Sequence, residues 1–121
     1  MRKPYRAIVC GGRKYDDYLH VQLVLDRLKE ALDDGHGKYL VIIEGGDDGA
    51  DDLAHSWCIS HSVVCETYSA NWALYGKKAG PIRNEQMIEH GADLVIAFPG
   101  GKGTQDMVRR AEAEGVKVVL A

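Results

Sequence analysis

An apolar run that leads directly into a glycine-rich turn occupies residues 94–104, LVIAFPGGKGT. Its first five residues carry no polar side chain, which is typical of a strand covered on both faces of a parallel sheet. The turn that follows ends at Thr104, which we predict to be the N-cap of the next helix. Residues 94–104 therefore predict a strand, a tight loop and a helix, which is the repeating unit of an α/β fold.

Similar units flank this one along the chain. Further short runs rich in β-branched residues are 5–10, 39–43, 63–68 and 116–120. Apolar residues recur at spacings of three and four over residues 19–32 and 50–58, which is the period of an amphipathic helix. Pro81 is expected to begin a third helix, and the fourth runs from Thr104 to Gly115. This alternation predicts a three-layer α/β sandwich around a central, mostly parallel five-stranded sheet.

Length and composition fit one domain spanning residues 1–121. The chain is 45% hydrophobic and 27% charged with a net charge of −3, which is too mild for a dedicated nucleic-acid binder. Three cysteines are too few and odd in number for a secreted disulfide framework. No apolar run reaches the roughly 18 residues that a membrane span needs. We therefore expect a cytoplasmic protein with no membrane partner.

Glycine pairs follow three of the predicted strands, at Gly11-Gly12, Gly45-Gly46 and Gly100-Gly101. Ligands of open α/β sheets bind beyond the carboxyl ends of the strands, and glycine lets the backbone approach them closely. The last pair leads into a helix start, where free N–H groups attract phosphate. Tight turns alone would also explain any single pair. The first loop is not a dinucleotide fingerprint, because it lacks the third glycine. The last loop is not a P-loop, because Lys102 precedes Gly103 instead of following it.

Together these motifs resemble the YspA/YpsA-related branch of the SLOG superfamily. That superfamily groups the SMF/DprA DNA-processing proteins with the LOG cytokinin-activating phosphoribohydrolases. The resemblance covers nearly the whole chain and rests on Trp72 and four motifs: GGR at 11–13, EGGDDGAD at 44–51, GPIRNEQM at 80–87 and FPGGKGT at 98–104. It implies a single Rossmann-like domain that binds a nucleotide or nucleotide-derived ligand at the glycine loops.

The LOG enzymes break the bond between a base and ribose 5-phosphate with a PGGxGTxxE loop and an arginine in an RxxxM context. Arg83 with Met87 matches that arginine. Met107 stands where those enzymes have glutamate, and Asp106 lies one residue earlier, about 100° around the helix. The resemblance thus leaves hydrolysis of an N-glycosidic bond as a second hypothesis, with Arg83 and Asp106 as candidate catalytic residues.

The candidate ligand-binding residues follow from their positions on this rim. Arg83 lies two residues after Pro81, and Arg13 follows the first glycine pair, so each guanidinium is a candidate phosphate ligand. The alternatives are a surface or interface salt bridge for Arg83 and an ordinary exposed loop residue for Arg13. Asp51 would either bond ribose hydroxyls or only stabilise a helix start, and Trp72 would either stack on a base or cover the core rim. The full set is Gly11, Gly12, Arg13, Gly45, Gly46, Asp51, Trp72, Arg83, Asn84, Pro99, Gly100, Gly101, Gly103 and Thr104.

No metal ion or cofactor is expected. His55 and His61 lie about 120° apart around their helix, Cys58 falls on its apolar stripe, and Cys65 completes no standard zinc spacing. Acidic residues directly after Gly45-Gly46 predict a ligand with few phosphates, since carboxylates repel them.

Two other functions remain open at the level of sequence. One is a sensor or sponge that captures a signalling nucleotide without turnover. The other is a DNA-processing accessory role by analogy with DprA, which the acidic balance disfavours because strand binding relies on neutralising phosphates. Relatives often pair through helices that flank the site, so we expect a homo-oligomer, in the simplest case a dimer.

Overall fold

The computed structural model describes residues 2–35 and 37–121. The described strands are β1 (Lys3–Cys10), β2 (Lys38–Glu44), β3 (Val64–Thr67), β4 (Leu94–Ala97) and β5 (Lys117–Leu120). The described helices are α1 (Tyr18–Asp33), α2 (Ala50–His61), α3 (Trp72–Tyr75), α4 (Ala79–Glu89) and α5 (Lys102–Ala113), with a 3-10 turn at Gly76–Lys78. No helix in this described part of the chain is long and apolar enough to cross a bilayer.

The strands form one sheet in the order β3-β2-β1-β4-β5. All neighbouring pairs are parallel, so the mostly parallel sheet predicted from the sequence is entirely parallel. At the centre, Ala7 pairs with Ile42 on one side and with Leu94 on the other. The chain steps outward from β1 to β3 and then returns beside β1 at β4. The carboxyl ends of β1 and β4 therefore flank the switch point at which such sheets bind ligands.

Two apolar cores cover the two faces of the sheet. Trp57 of α2 and Leu25 of α1 pack on one face, and Met87 of α4 and Met107 of α5 pack on the other. Side chains of a strand alternate between the faces, so Ile42 belongs to the first core and Ile43 to the second. This arrangement confirms the predicted three-layer α/β sandwich.

Two helix starts differ from the sequence-based prediction. The helix expected to begin at Pro81 begins at Ala79, because α3 and the 3-10 turn lead directly into it and proline is tolerated throughout a first turn. The last helix has Gly101 as its N-cap instead of Thr104. Gly101 is extended, with φ −101° and ψ −138°, so the helix begins immediately after it and Thr104 lies in the first turn. No side chain caps α5, which leaves its first amides available.

Candidate functional site

A cavity of about 600 Å³ opens at the carboxyl edge of the sheet, where β1, β2 and β4 end. The glycine loop after β1, the loop after β2 and the first turns of α4 and α5 surround it. Most of the predicted site residues line it, namely Gly11, Gly12, Arg13, Gly45, Asp51, Trp72, Arg83, Asn84, Gly101, Gly103, Thr104 and Asp106. The tertiary structure thus brings four distant segments to one place.

Three predicted residues lie outside this lining. Gly46 has φ +75° and faces Thr67 and Ser69 on the outer side of its loop. Pro99 and Gly100 line a neighbouring, more apolar hollow together with Leu120. Pro99 still shapes the cavity, because its carbonyl oxygen accepts a hydrogen bond of 2.8 Å from the amide of Gly12 and so joins the loops after β1 and β4.

Arg83 connects the loop after β2 to α4. Its side chain is only 8% exposed. Nη1 donates to the carbonyl oxygen of Gly45 at 2.7 Å, Nη2 to Asp47 at 3.2 Å and Nε to the Asn84 amide oxygen at 3.1 Å. Each guanidinium nitrogen thus has a protein acceptor, which makes Arg83 a cross-link of the cavity wall, while the second hydrogens of Nη1 and Nη2 remain for other acceptors.

Asn84 extends this network to α5. Its Nδ2 donates to the Gly103 carbonyl oxygen at 3.2 Å and to Asp106 at 3.0 Å. Arg110 donates to the same Asp106 oxygen at 2.8 Å. Although burial acts to raise it, hydrogen bonds from Arg110 and Asn84 hold the pKa of Asp106 below its usual value. Asp106 is therefore a carboxylate at neutral pH, the state of a base and not of a general acid.

Asp51 is the cavity carboxyl group that holds a proton most easily. Its Oδ2 accepts from the amides of Gly45 and Asp47, both at 3.2 Å, so its position in the first turn of α2 orders the loop after β2. Burial raises the pKa of Asp51 to about 7, an effect that the neighbouring charge of Asp47 reinforces. A carboxyl group that exchanges a proton near neutral pH is suited to general acid–base chemistry.

The first turn of α5 supplies unsatisfied donors. Within residues 2–35 and 37–121, the amides of Lys102, Gly103 and Thr104 donate to no other group. The cationic side chains of the lining are Arg13, Lys77, Arg83, Lys102 and Arg109, against Asp47, Asp51 and Asp106. The cavity thus combines an excess of positive side chains with the positive end of a helix dipole, a combination that attracts anions.

Arg13 and Trp72 form one wall of the cavity. The guanidinium carbon of Arg13 lies 5.1 Å from the centre of the Trp72 ring, a cation–π distance. Arg13 also lies 3.8 Å from Asp47, so this aspartate bridges the two guanidinium groups singled out in the sequence. Because Arg13 and Arg83 both lie close to the Asp47 carboxylate, its negative charge repels a bound phosphate less strongly than the sequence alone predicts.

Cys10 also lines the cavity, at the end of β1. Burial raises the pKa of its thiol to about 12, and the charge of Asp51 acts in the same direction. The thiol is therefore protonated at neutral pH and is not an activated nucleophile.

Sequence reasoning missed several residues of the rim. Lys102 and Arg109 line the cavity but carry no motif signal beyond their positions near the start of α5.

Glu44 stands out in the sequence only as part of a motif and does not line the cavity. It is buried at 1% exposure on the α2 face of the sheet, beside His55 and Cys65. Buried glutamates are uncommon, but burial at a strand end cannot be read from the local sequence.

The fold is similar to those of solved structures, among them the following two. The structural-genomics target TM1055 superposes with a TM-score of 0.68 at 15% identity, covering 94% of this chain and 72% of that one. DNA processing protein A (DprA) from Streptococcus pneumoniae superposes with a TM-score of 0.52 at 20% identity, and the match covers 97% of this chain and 58% of DprA. These similarities support the Rossmann-like fold.

Sequence comparison shows the family of the chain as well as its fold. The chain is 36% identical over 122 residues to the Gene 61 protein of Mycobacterium phage D29, and the match covers 94% of both chains. Residues 5–75 match the model of the YAcAr family, described as the YspA, cpYpsA-related SLOG family. The match spans more than half of the chain and includes the glycine loops after β1 and β2. The chain belongs to the YspA, cpYpsA-related SLOG family.

Proposed function

We propose that the cavity binds a nucleotide-derived anion, with a phosphate group at the first turn of α5. The observation that carries the proposal is the meeting of three unsatisfied amides and an excess of cationic side chains in one hollow. Membership of the SLOG family supports a nucleotide-related or DNA-processing role in general. The volume of about 600 Å³ lies in the range of small-molecule sites.

The remaining walls suit the rest of a nucleotide. Trp72 offers an exposed aromatic face beside Arg13, on which a base can stack for about 1–3 kcal/mol. The amide of Gly45 is already bound to Asp51, so contact with ribose hydroxyls falls to the carboxyl group of Asp51. Arg83 acts mainly as a positioning residue that holds Gly45, Asp47 and Asn84 around the ligand.

A pair of variants at the first residue of α5 tests the phosphate site. Lys102→Ala removes the side-chain charge, and Lys102→Pro removes the charge and the amide hydrogen at a position where helices accept proline. We expect nucleoside 5′-monophosphates to bind the proline variant about tenfold more weakly than the alanine variant, because a hydrogen bond to a charged group contributes about 1.5–3 kcal/mol. Isothermal titration calorimetry measures both. Equal affinities, or no binding of any monophosphate to the wild type at millimolar concentration, would contradict the proposal.

The raised pKa of Asp51 favours a second function, hydrolysis of the N-glycosidic bond of the bound nucleotide. As the N-glycosidic bond breaks, Asp51 would give its proton to the departing base. A water molecule would form the new bond to the ribose carbon and release one of its protons to solvent, and Asp106 would remain a carboxylate. Release of free base from a nucleoside monophosphate, abolished in Asp51→Asn and in Arg83→Ala, supports turnover. Retention of an unchanged ligand favours the sensor or sponge instead.

A salt-dependent gel shift with single-stranded DNA would favour a DNA-processing role, which is the role that the name of DprA indicates for that protein.

A further inference from the structure

A mixed cluster of possible metal ligands lies on the α2 face of the sheet, away from the cavity. Its members come from three elements: Glu44 ends β2, His55 lies in α2 and Cys65 lies in β3. Their side chains offer a carboxylate oxygen, an imidazole nitrogen and a sulfur that all lie within 4.8 Å of one another. These are the three ligand types that zinc prefers in proteins.

The separations of these atoms match those of ligands around one tetrahedral ion. His55 Nδ1 lies 3.4 Å from Glu44 Oε2, Cys65 Sγ lies 3.5 Å from the same oxygen, and the sulfur lies 3.5 Å from the nitrogen. Bonds of about 2.3 Å to sulfur and about 2.0–2.1 Å to nitrogen and oxygen, at tetrahedral angles, place such ligands about 3.3–3.6 Å apart. Little movement would be required to bind the ion.

The charge of the cluster also favours a cation. Glu44 is buried at 1% exposure, and among residues 2–35 and 37–121 neither lysine nor arginine forms an ion pair with it. Its carboxylate accepts from two neutral donors, the Gly46 amide at 2.6 Å and the Thr67 hydroxyl. Among the described residues, His55 is the one side chain close enough to pair with it as a cation. A buried carboxylate without a permanent cation is costly, and a divalent ion would compensate it.

We propose that Glu44 Oε2, His55 Nδ1 and Cys65 Sγ form a binding site for Zn²⁺ or a similar divalent transition-metal ion. On binding, the Cys65 thiol releases its proton to solvent and coordinates as a thiolate. The hydrogen bonds from Gly46 and Thr67 hold the carboxylate in place as an outer shell. Water completes the coordination from the side of His55, whose side chain is 46% exposed. The ion joins β2, α2 and β3 directly behind the loop that contributes Gly45 to the cavity.

This site departs from the sequence-based expectation of no metal. That expectation considered His55, Cys58, His61 and Cys65, but the ligand that completes the cluster is Glu44, ten or more residues away from the others along the chain. His61 does not belong to the cluster. Its ring stacks on Trp57 and its Nε2 lies 3.3 Å from Asp26.

Cobalt titration of the full chain, freed of metal with a chelator, tests the site directly. We expect the wild type to bind one Co²⁺ with the visible spectrum of a tetrahedral complex and a thiolate-to-cobalt charge-transfer band. Cys65→Ser removes that band, and His55→Ala, at a position whose side chain is 46% exposed, weakens binding at least about tenfold. Zn²⁺ should displace the cobalt and raise the thermal midpoint of the wild type but not that of Cys65→Ser.

His61→Ala is the matched control, because it removes the other histidine of α2 and should bind cobalt as the wild type does. Absence of a tetrahedral cobalt spectrum in the wild type overturns the proposal. A spectrum that is unchanged in both Cys65→Ser and His55→Ala overturns it equally. None of these outcomes depends on nucleotide binding in the cavity.

Discussion

Glu44 and Gly45 are neighbours at the end of β2, yet they serve two chemically different clusters on opposite faces of the sheet. On the cavity side, the Gly45 carbonyl oxygen accepts from Arg83, whose charge is paired with Asp47. On the α2 side, Glu44 meets His55 and Cys65, and no lysine or arginine in the described part of the chain forms an ion pair with it. The Arg83–Asp47 pair therefore compensates its own charges, while the Glu44 carboxylate has no lysine or arginine partner among the described residues. Adjacent residues of the chain thus belong to an ordered cavity wall and to the metal site proposed above.

The largest expected change in stability comes from removing the Arg83 cross-link on the cavity side. Arg83→Met leaves Asp47 and the Gly45 carbonyl oxygen without their buried partner, and we expect a loss of about 3 kcal/mol in the free energy of unfolding. Urea denaturation measures this loss. Arg109→Met is the control, because its side chain is 67% exposed and its removal should change stability by less than about 0.5 kcal/mol. Similar small effects for both variants would show that Arg83 is not a cross-link.

The next effect concerns the pH dependence of the cavity wall. Because the pKa of Asp51 is raised from 3.8 to about 7 on folding, the wild type releases a proton when it unfolds between these values, and its stability falls as pH rises. Relative to Asp51→Asn, we expect the wild type to lose about 2 kcal/mol between pH 5 and pH 6.5. Denaturation of both proteins across this range checks the sign. A difference that is independent of pH would contradict the raised pKa.

A smaller effect is expected on the α2 side without metal. Glu44→Gln removes a buried charge together with the hydrogen bonds that it accepts, and these opposing contributions should leave the stability within about 1 kcal/mol of the wild type. With saturating Zn²⁺, the wild type becomes clearly more stable than the variant. Thermal melts with zinc and with chelator provide the measurement. If wild type and Glu44→Gln differ in thermal midpoint by the same amount with zinc and with chelator, then zinc does not bind through Glu44.

The smallest effect on stability belongs to the exposed wall of the cavity. Arg13→Ala removes a half-exposed side chain that stacks on Trp72, and we expect a change of less than about 0.5 kcal/mol in unfolding. Nucleotide affinity should fall several-fold in the same variant, because the ligand loses a cation near its phosphate or base. Calorimetry and denaturation of one preparation separate the two. A large loss of stability would make Arg13 part of the framework and not of the binding surface.

Much of the cavity lining could be predicted, because short stretches of the sequence mark the turns that form it. The glycine turns after β1, β2 and β4 follow apolar strands, and the rule for parallel sheets puts all such turns on one edge. Residues 11–13, 83 and 101–104 accordingly meet at one cavity. The roles of Asp106 and Asp51 could not be predicted, because they depend on which partner reaches each carboxyl group: Arg110 and Asn84 for one, burial for the other.

The sequence by itself determined the alternation of five strands with the four longer helices, the mostly parallel sheet and the edge of the sheet that carries the glycine loops, because periodicity and turn chemistry act over a few residues. It did not indicate the short helix α3 or the 3-10 turn after it. Only the tertiary structure decided that Arg83 is held by Asp47, that burial raises the pKa of Asp51 to about 7 and that Glu44 meets His55 and Cys65. These outcomes depend on burial and on contacts between residues that lie far apart in the chain, where solvent no longer screens a charge and one additional partner changes its chemistry.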